Sequence, residues 1–311
     1  MTLTSYFASL NILKLFRNMP GGISQGIIWG IMALGIYITF RLLDVADLTV
    51  DGSFTTGGAV TVMLILAGWP AWAALLAAML AGLLAGFVTG MLHTKLGIPA
   101  ILAGILTQFS LYSINLHIMG MAANKAVSVD KYHLLLSSRN IPAAILTGTI
   151  IALALVSVFY WYFGTEQGSA IRATGNNPAM SRALGINIDN MKVLGLSISN
   201  GIVALSGGLL AQYQGFADIN MGRGAIVIGL AAVIIGEVIF GKLFRNFALK
   251  LLAVSLGAII YYLVIQVVLW LGLNANDLKL LTALVVSVFL AVPFWRGKYF
   301  AKRTGKGEDH A

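Results

Sequence analysis

The sequence predicts an all-α polytopic membrane protein of about nine transmembrane helices, with an inverted internal repeat, the N-terminus outside and the C-terminus cytoplasmic. Three observations predict it. Of 311 residues, 59% are hydrophobic and only 10% charged, against about 25% charged in a soluble domain. The apolar residues gather into nine segments, approximately 20–40, 53–68, 70–92, 98–120, 142–163, 193–214, 224–240, 247–271 and 278–295; a helix needs about 20 residues to cross a hydrocarbon core. An offset of 171 residues brings Gly30 onto Gly201, Asp47 onto Asp218 and Gly58 onto Gly229, so that Asp47–Val50 (DLTV) meets Asp218–Met221 (DINM). With nine spans these halves run in opposite directions, a habit of transporters.

Taken in order, the chain opens with residues 1–19, where Leu3, Phe7, Leu10, Leu13 and Phe16 recur near helical spacing and predict an interfacial amphipathic segment. Lys14 and Arg17 come late and no small-residue cleavage site follows, so no cleavable signal peptide is expected. Residues 20–295 form the membrane domain. Gly22, Gly26 and Gly30 in the first span, and Gly82, Gly86 and Gly90 in the third, stand four apart and predict close helix packing. The second and seventh spans are short for a full crossing. Residues 296–311 form a basic tail. With that tail inside, thirteen Lys and Arg residues fall on the inner side and seven on the outer. A rival topology makes 41–68 re-entrant with the N-terminus inside, and charge alone does not choose between them. The chain has no cysteine, which excludes disulfides and thiolate chemistry. The net charge of +9 orients the protein in the membrane and calls for no nucleic acid.

The one long polar break is the loop 164–192. Asn177 is a strong N-cap and Pro178 suits the first helical position. Gly185 supplies a stop, so the signals bracket about two turns. Met180 and Leu184, four apart, share a face, available to a partner or to the protein's own helix ends.

This loop, GSAIRATGNNPAMSRALGIN, followed by a span carrying Ser206-Gly207-Gly208, resembles the cytoplasmic coupling loop of ABC-transporter permeases, and more narrowly the branched-chain amino acid and ribose importer permease family. The family's Gly-x-x-x-Arg-Ala stretch is matched by Gly168, Arg172 and Ala173. Its Ala-x-x-x-Gly-Ile element is matched by Ala179 or Ala183, Gly185 and Ile186. Asp47-Leu48-Thr49-Val50, with Gly52 and Ser53 after it, resembles the Asp-Leu-Ser-Val-Gly stretch of the sugar branch, with Asp51 standing where glycine is usual. The resemblance runs from about residue 20 and sits nearest to permeases of aromatic amino acid importers. It implies a small solute, an amino acid, handed over by an extracytoplasmic binding protein, and two permeases, a homodimer or this chain with a relative, in a bacterial cytoplasmic (inner) membrane. It also implies cytoplasmic ATPase subunits that bind ATP and Mg²⁺ and dock on Arg172, Asn177, Pro178, Met180, Ser181, Ala183, Leu184, Gly185 and Ile186.

The chain's own residues offer no motor. Gly236 to Lys242 has the spacing GxxxxGK, but Leu243 replaces the hydroxyl that would hold Mg²⁺. His93, His117, His133 and His310 have no acids at ligand spacing, so no metal site is expected. Polar groups at membrane depth are the candidates for a solute path: Asp47, Asp51, Ser53, Gln108, Asn115, Asn200 and Gln212. Gln108 and Asn115 stand seven apart on one helix face. Helix-to-helix hydrogen bonding explains such groups equally well. Glu237 is expected to pair with Lys242 or Arg245 at the inner face. Two other classes, an ion-coupled secondary transporter and an intramembrane lipid-modifying enzyme, would need a deep acid or a cluster of His, Asp and Ser at one depth.

Overall fold

The computed structural model describes residues 12–271 except 242 and 245, together with scattered positions between 280 and 291. The helices are α1 (Ile12–Tyr37, extended by a π-helical turn Ile38–Leu42), α2 (Thr49–Leu66), α3 (Ala71–Thr94), α4 (Ala100–Ile118), α5 (Ile141–Tyr162), α6 (Glu166–Asn176), α7 (Pro178–Ala183), α8 (Ile188–Gln214), α9 (Ala225–Phe240) and α10 (Phe247–Trp270). Seven of them are long and apolar enough to cross a membrane, and α9 is a shorter apolar helix. The ninth expected segment lies largely outside the described residues, as do Leu3–Asn11. From Ile12 the chain is helical through Pro20 into the first span without a break. A small sheet departs from an all-helical fold: β1 (Asn124–Ala126) pairs antiparallel with β2 (Phe216–Asp218).

α1 and α8 form the centre. Both are buried over 83% of their most apolar stretch, whereas α5 is buried over 17% and presents leucine, valine and tryptophan outward. They run antiparallel, because Ser199 Oγ donates to the Gly35 carbonyl and Ser206 Oγ to the Ile28 carbonyl, each at 2.7 Å. The expected glycine ridges meet different partners. Gly22, Gly26 and Gly30 let α1 close onto Gln266, Ile259 and Ser255 of α10; Gly82, Gly86 and Gly90 let α3 close onto Asn200, Leu196 and Val193 of α8. Without a Cβ in the way the backbones approach and dispersion contacts accumulate.

The two short helices begin deep in the bundle. α2 runs parallel to α8, since Ser53 bonds Asn200, Gly57 lies against Ala204 and Thr61 against Gly208. Thr49 is therefore level with Leu196, about 12 Å along α8 from its start at 1.5 Å per residue. α2 leaves at the end where Val62 and Ile65 pack with Val127 and Ala217 beside the sheet, the hairpin end. α1 arrives at the opposite end, where the Leu42 carbonyl touches Gly175 of α6, the loop end. Segment 41–68 thus enters from one end and leaves at the other and is not re-entrant. α9 starts with its first N–H groups bound to Asp51 of α2, passes Met32 and Ile36 at Gly229, and finishes at the loop end. There Glu237 pairs with Arg41 at 2.9 Å. Arg41, at the tip of α1, takes the place expected of Lys242 or Arg245, both outside the described residues; the contact depends on two helix ends far apart in sequence.

Candidate functional site

The polar residues at depth form two separate groups. In the first, the chain turns from the π-helical end of α1 back into the bundle through residues 43–48, and Asp47 caps the new helix. Its Oδ1 accepts from Thr49 N at 2.9 Å and its Oδ2 from Asn200 Nδ2 at 2.6 Å. Asn200 Oδ1 in turn accepts from Ser53 Oγ at 2.7 Å. Thr49, Thr89 and Thr107 extend the network from α2 to α3 and α4. Asp47, Ser53 and Asn200 are thus brought together, each bonded to protein and at most 3% exposed. Such a saturated network fixes the start of α2 and keeps the acid from standing unpaired in an apolar interior.

The second group lines a cavity of about 560 Å³ between α2, α4 and the loop before α9, with Asp51, Thr55, Gln108, Phe109, Tyr112, Asn115, Ile219 and Arg223 on its walls. Asp51 accepts from Gly224 N at 2.9 Å through Oδ2 and from Ile226 N at 3.0 Å through Oδ1. A carboxylate at a helix N-terminus satisfies N–H groups that have no partner within the helix and meets the positive end of its dipole. Thr55 Oγ1 accepts from Gly222 N at 3.1 Å, tightening the same junction. Asn115 is 1% exposed, and neither its Oδ1 nor its Nδ2 finds a hydrogen-bond partner among the described residues. Asp51, Gln108 and Asn115, singled out from sequence, therefore share one space. Gln212 lies apart: Oε1 accepts from Leu135 N and Nε2 donates to the Ala71 carbonyl, pinning the hairpin-end loop to α3.

Sequence reasoning missed Phe109, Tyr112 and Arg223. Tyr112 was within reach, because Gln108, Tyr112 and Asn115 follow the i, i+4, i+7 spacing of one helix face. Asp218, five residues before Arg223, lies in β2 and accepts from Asn220 N at 2.7 Å. Arg223 reaches the cavity only because the loop before α9 dips inward.

At the loop end the polar break holds two helices, where one was expected. The missed one, α6, starts at a Thr165 cap. In α7 the Asn177 side chain accepts from Met180 N at 3.0 Å, Pro178 follows it, and Gly185 takes φ +81° after the last turn. Met180 is 60% and Leu184 67% exposed, so neither folds back onto the protein. Pro178 and Ala183 are also outward, Ile186 is half-buried, and Ser181 faces inward with its hydroxyl on the Asn177 carbonyl. Arg172 sits over the Phe247 ring at 5.5 Å, joining α6 to the start of α10.

Membrane-crossing helices, a cavity at depth that carries a few polar groups on a largely apolar wall, and a capped helix displayed at one end are the layout of a transport subunit. The sequence profile of the family described as branched-chain amino acid transport system / permease component matches residues 18–292, and the chain belongs to that family. It is a multi-pass permease of an ABC importer, a transport subunit and not itself an enzyme, in a class whose members work with ATPase and binding-protein partners. It is 40% identical over 272 residues to a tyrosine transport system permease protein of Clostridioides difficile (strain R20291), covering 86% of this chain and 88% of that one. It is 35% identical over 273 residues to an uncharacterized protein of Rickettsia prowazekii (strain Madrid E), over 86% and 95% of the two. The autoinducer 2 import system permease protein LsrC of Yersinia pseudotuberculosis is 29% identical over 212 residues, 67% of this chain and 58% of that one. Among solved structures, PsaBC from Streptococcus pneumoniae in complex with Fab aligns at 18% identity with a TM-score of 0.34, over 85% of this chain and 95% of its own. Family membership sets aside the secondary transporter and the lipid-modifying enzyme.

Proposed function

We propose that this chain imports an amino acid, one with an aromatic side chain, across a bacterial inner membrane, as one of two identical permease copies driven from the cytoplasm through α7. The observation that carries the reading is the display of Met180 and Leu184 on a short helix with its own cap. An apolar pair held out on a rigid helix is the anchor pattern by which a helix docks in a groove, here a groove of the ATPase that binds ATP and Mg²⁺. The loop end is then cytoplasmic, with the C-terminus on that side and, over nine spans, the N-terminus outside. The hairpin end meets the binding protein. The aromatic amino acid is suggested by the tyrosine transport system permease among the relatives.

Movement of α7 has a short route inward. α6 lies against the Leu42 carbonyl at Gly175 and grips Phe247 through Arg172. Leu42 ends the π-helical turn, five residues before Asp47. A π-turn interrupts the regular ladder and is often found at functional positions. Pressure on α6 is thereby passed to the turn that sets the start of α2 and one wall of the cavity.

An inverted repeat supports alternating access. The 171-residue offset turns the pair Gly35 and Ser199 into the pair Ser206 and Ile28, and both pairs are joined by a serine hydrogen bond of 2.7 Å. It turns the contact of Gly30 with Ser255 into one of Gly201 with residue 84, and Gly201 touches its neighbour Leu83. Asp47 and Asp218 each accept from the N–H two residues on.

Leu184→Arg tests the docking. The variant is expected to insert and fold normally, to lose uptake, and to leave ATP hydrolysis by the ATPase unlinked from transport in proteoliposomes. Normal uptake by this variant removes α7 as the docking element.

A further inference from the structure

We propose that the cavity beside Asp51 recognises an amino acid whose aromatic ring carries a hydrogen-bonding group, and that Asn115 is the residue that reads that group. The inference rests on the import of an aromatic amino acid proposed above and assigns its recognition to this chain as well as to any delivering protein.

The cavity has three kinds of wall. Arg223 supplies a cation from the loop at the hairpin end, suited to a carboxylate. Asp51 supplies the opposite charge. Its oxygens accept from the N–H groups of Gly224 and Ile226, and Ala225 N–H also reaches it; a carboxylate has about four lone-pair sites, which leaves room for an ammonium group. The pair therefore offers complementary charges to a zwitterion. Phe109 and Tyr112, on the same stretch of α4, supply ring surface.

Asn115 lies one turn beyond Tyr112 and completes the set. A buried amide in a native protein is nearly always hydrogen-bonded. This one is 1% exposed and uses neither its donor nor its acceptor within the described protein. A structural amide would resemble Asn200 or Gln212, both of which bond to protein through oxygen and nitrogen alike. Asn115 instead offers a donor and an acceptor in the cavity whose wall it shares with Phe109 and Tyr112. A phenolic hydroxyl, which donates and accepts, matches both; a bare phenyl ring matches neither. Sites built to hydrogen-bond a substrate hydroxyl discriminate strongly against the analogue lacking it.

The test uses the whole importer, this chain with its ATPase and binding protein, in proteoliposomes, with tyrosine and phenylalanine as probes. Uptake of each by Asn115→Leu is compared with the unaltered chain using the same loaded binding protein, so that protein's own preference cancels. The expected result is a fall of roughly tenfold or more in the tyrosine-to-phenylalanine uptake ratio, with phenylalanine uptake largely kept. Because leucine replaces an unpartnered buried amide with an apolar group of similar size, thermal stability should hold or rise. Asn115→Ala should shift the ratio in the same direction should the leucine variant fail to fold. An unchanged ratio, or equal loss of both solutes, overturns the assignment to Asn115. If the unaltered importer takes up neither solute with ATP, the transport reading itself fails, and this site with it.

Discussion

The two halves of the bundle, α1–α3 and α8–α10, share a backbone plan and differ in chemistry. In each, a central helix is followed by a short helix that starts at depth and by a long helix packed through small residues. The repeat brings position 51 onto position 222, and these two residues touch: a Cβ on Gly222 would overlap the Asp51 carbonyl. The axis relating the halves therefore passes close to the junction of α2 and α9. There the first half contributes a carboxylate and the second a glycine followed by N–H groups of Gly224 and Ile226 that bond to that carboxylate. Two acids facing each other across that axis would repel and two glycines would leave the start of α9 uncapped, so the unequal pair gives both close approach and a satisfied N-terminus. Symmetry supplies the architecture, and its breach supplies the charge beside the cavity.

The comparison can be broken hardest at Gly222. Gly222→Val places a branched side chain against the Asp51 carbonyl and Thr55 Oγ1. A loss of about 3 kcal/mol, the upper end of the usual cost of overpacking, is expected at an unyielding backbone, read as loss of the monodisperse peak in detergent size-exclusion chromatography. A wild-type profile would show that α2 and α9 can part and that the shared junction is dispensable.

A gentler probe compares the mated serine bonds. Ser199→Ala and Ser206→Ala each remove one buried bond to a carbonyl of α1. Each should cost about 0.6–1 kcal/mol, the usual worth of such bonds between membrane helices. The two shifts in thermal midpoint should be alike, and the double variant should show their sum, since the sites lie two turns apart. Unequal shifts would mean that the halves carry load differently despite matching geometry. The smallest effect belongs to Glu237→Gln. Its partner Arg41 is 59% exposed along the side chain and Glu237 is 35% exposed, so about 0.2–1 kcal/mol is expected, with uptake nearly unchanged. A large loss of transport would instead make the Arg41–Glu237 pair part of the moving junction.

Much of this was legible before any coordinates. Apolar segments set the spans because a helix that satisfies its own backbone is the only unit that can cross lipid singly. Asn177, Pro178 and Gly185 marked α7 because caps act within a few residues. α6 was hidden because its cap and polar composition look like loop, and β1 and β2 because strands of three residues separated by some ninety others leave no periodic trace. The polar residues divided less predictably. Asp47, Ser53, Asn200 and Gln212 turn out bonded to the protein itself, and Asn115 does not, although all five read alike in sequence.

The amino-acid sequence alone determined that this protein lives in a bilayer, where its helices start and stop, and which family it resembles, because hydropathy, capping and motif spacing are local properties of a chain. Only the tertiary structure decided that α2 and α9 begin at mid-depth against one another, that Arg41 answers Glu237, and which polar groups face a cavity. Those outcomes depend on the rotation and register of helices packed across more than a hundred residues of intervening chain, and no single segment encodes them.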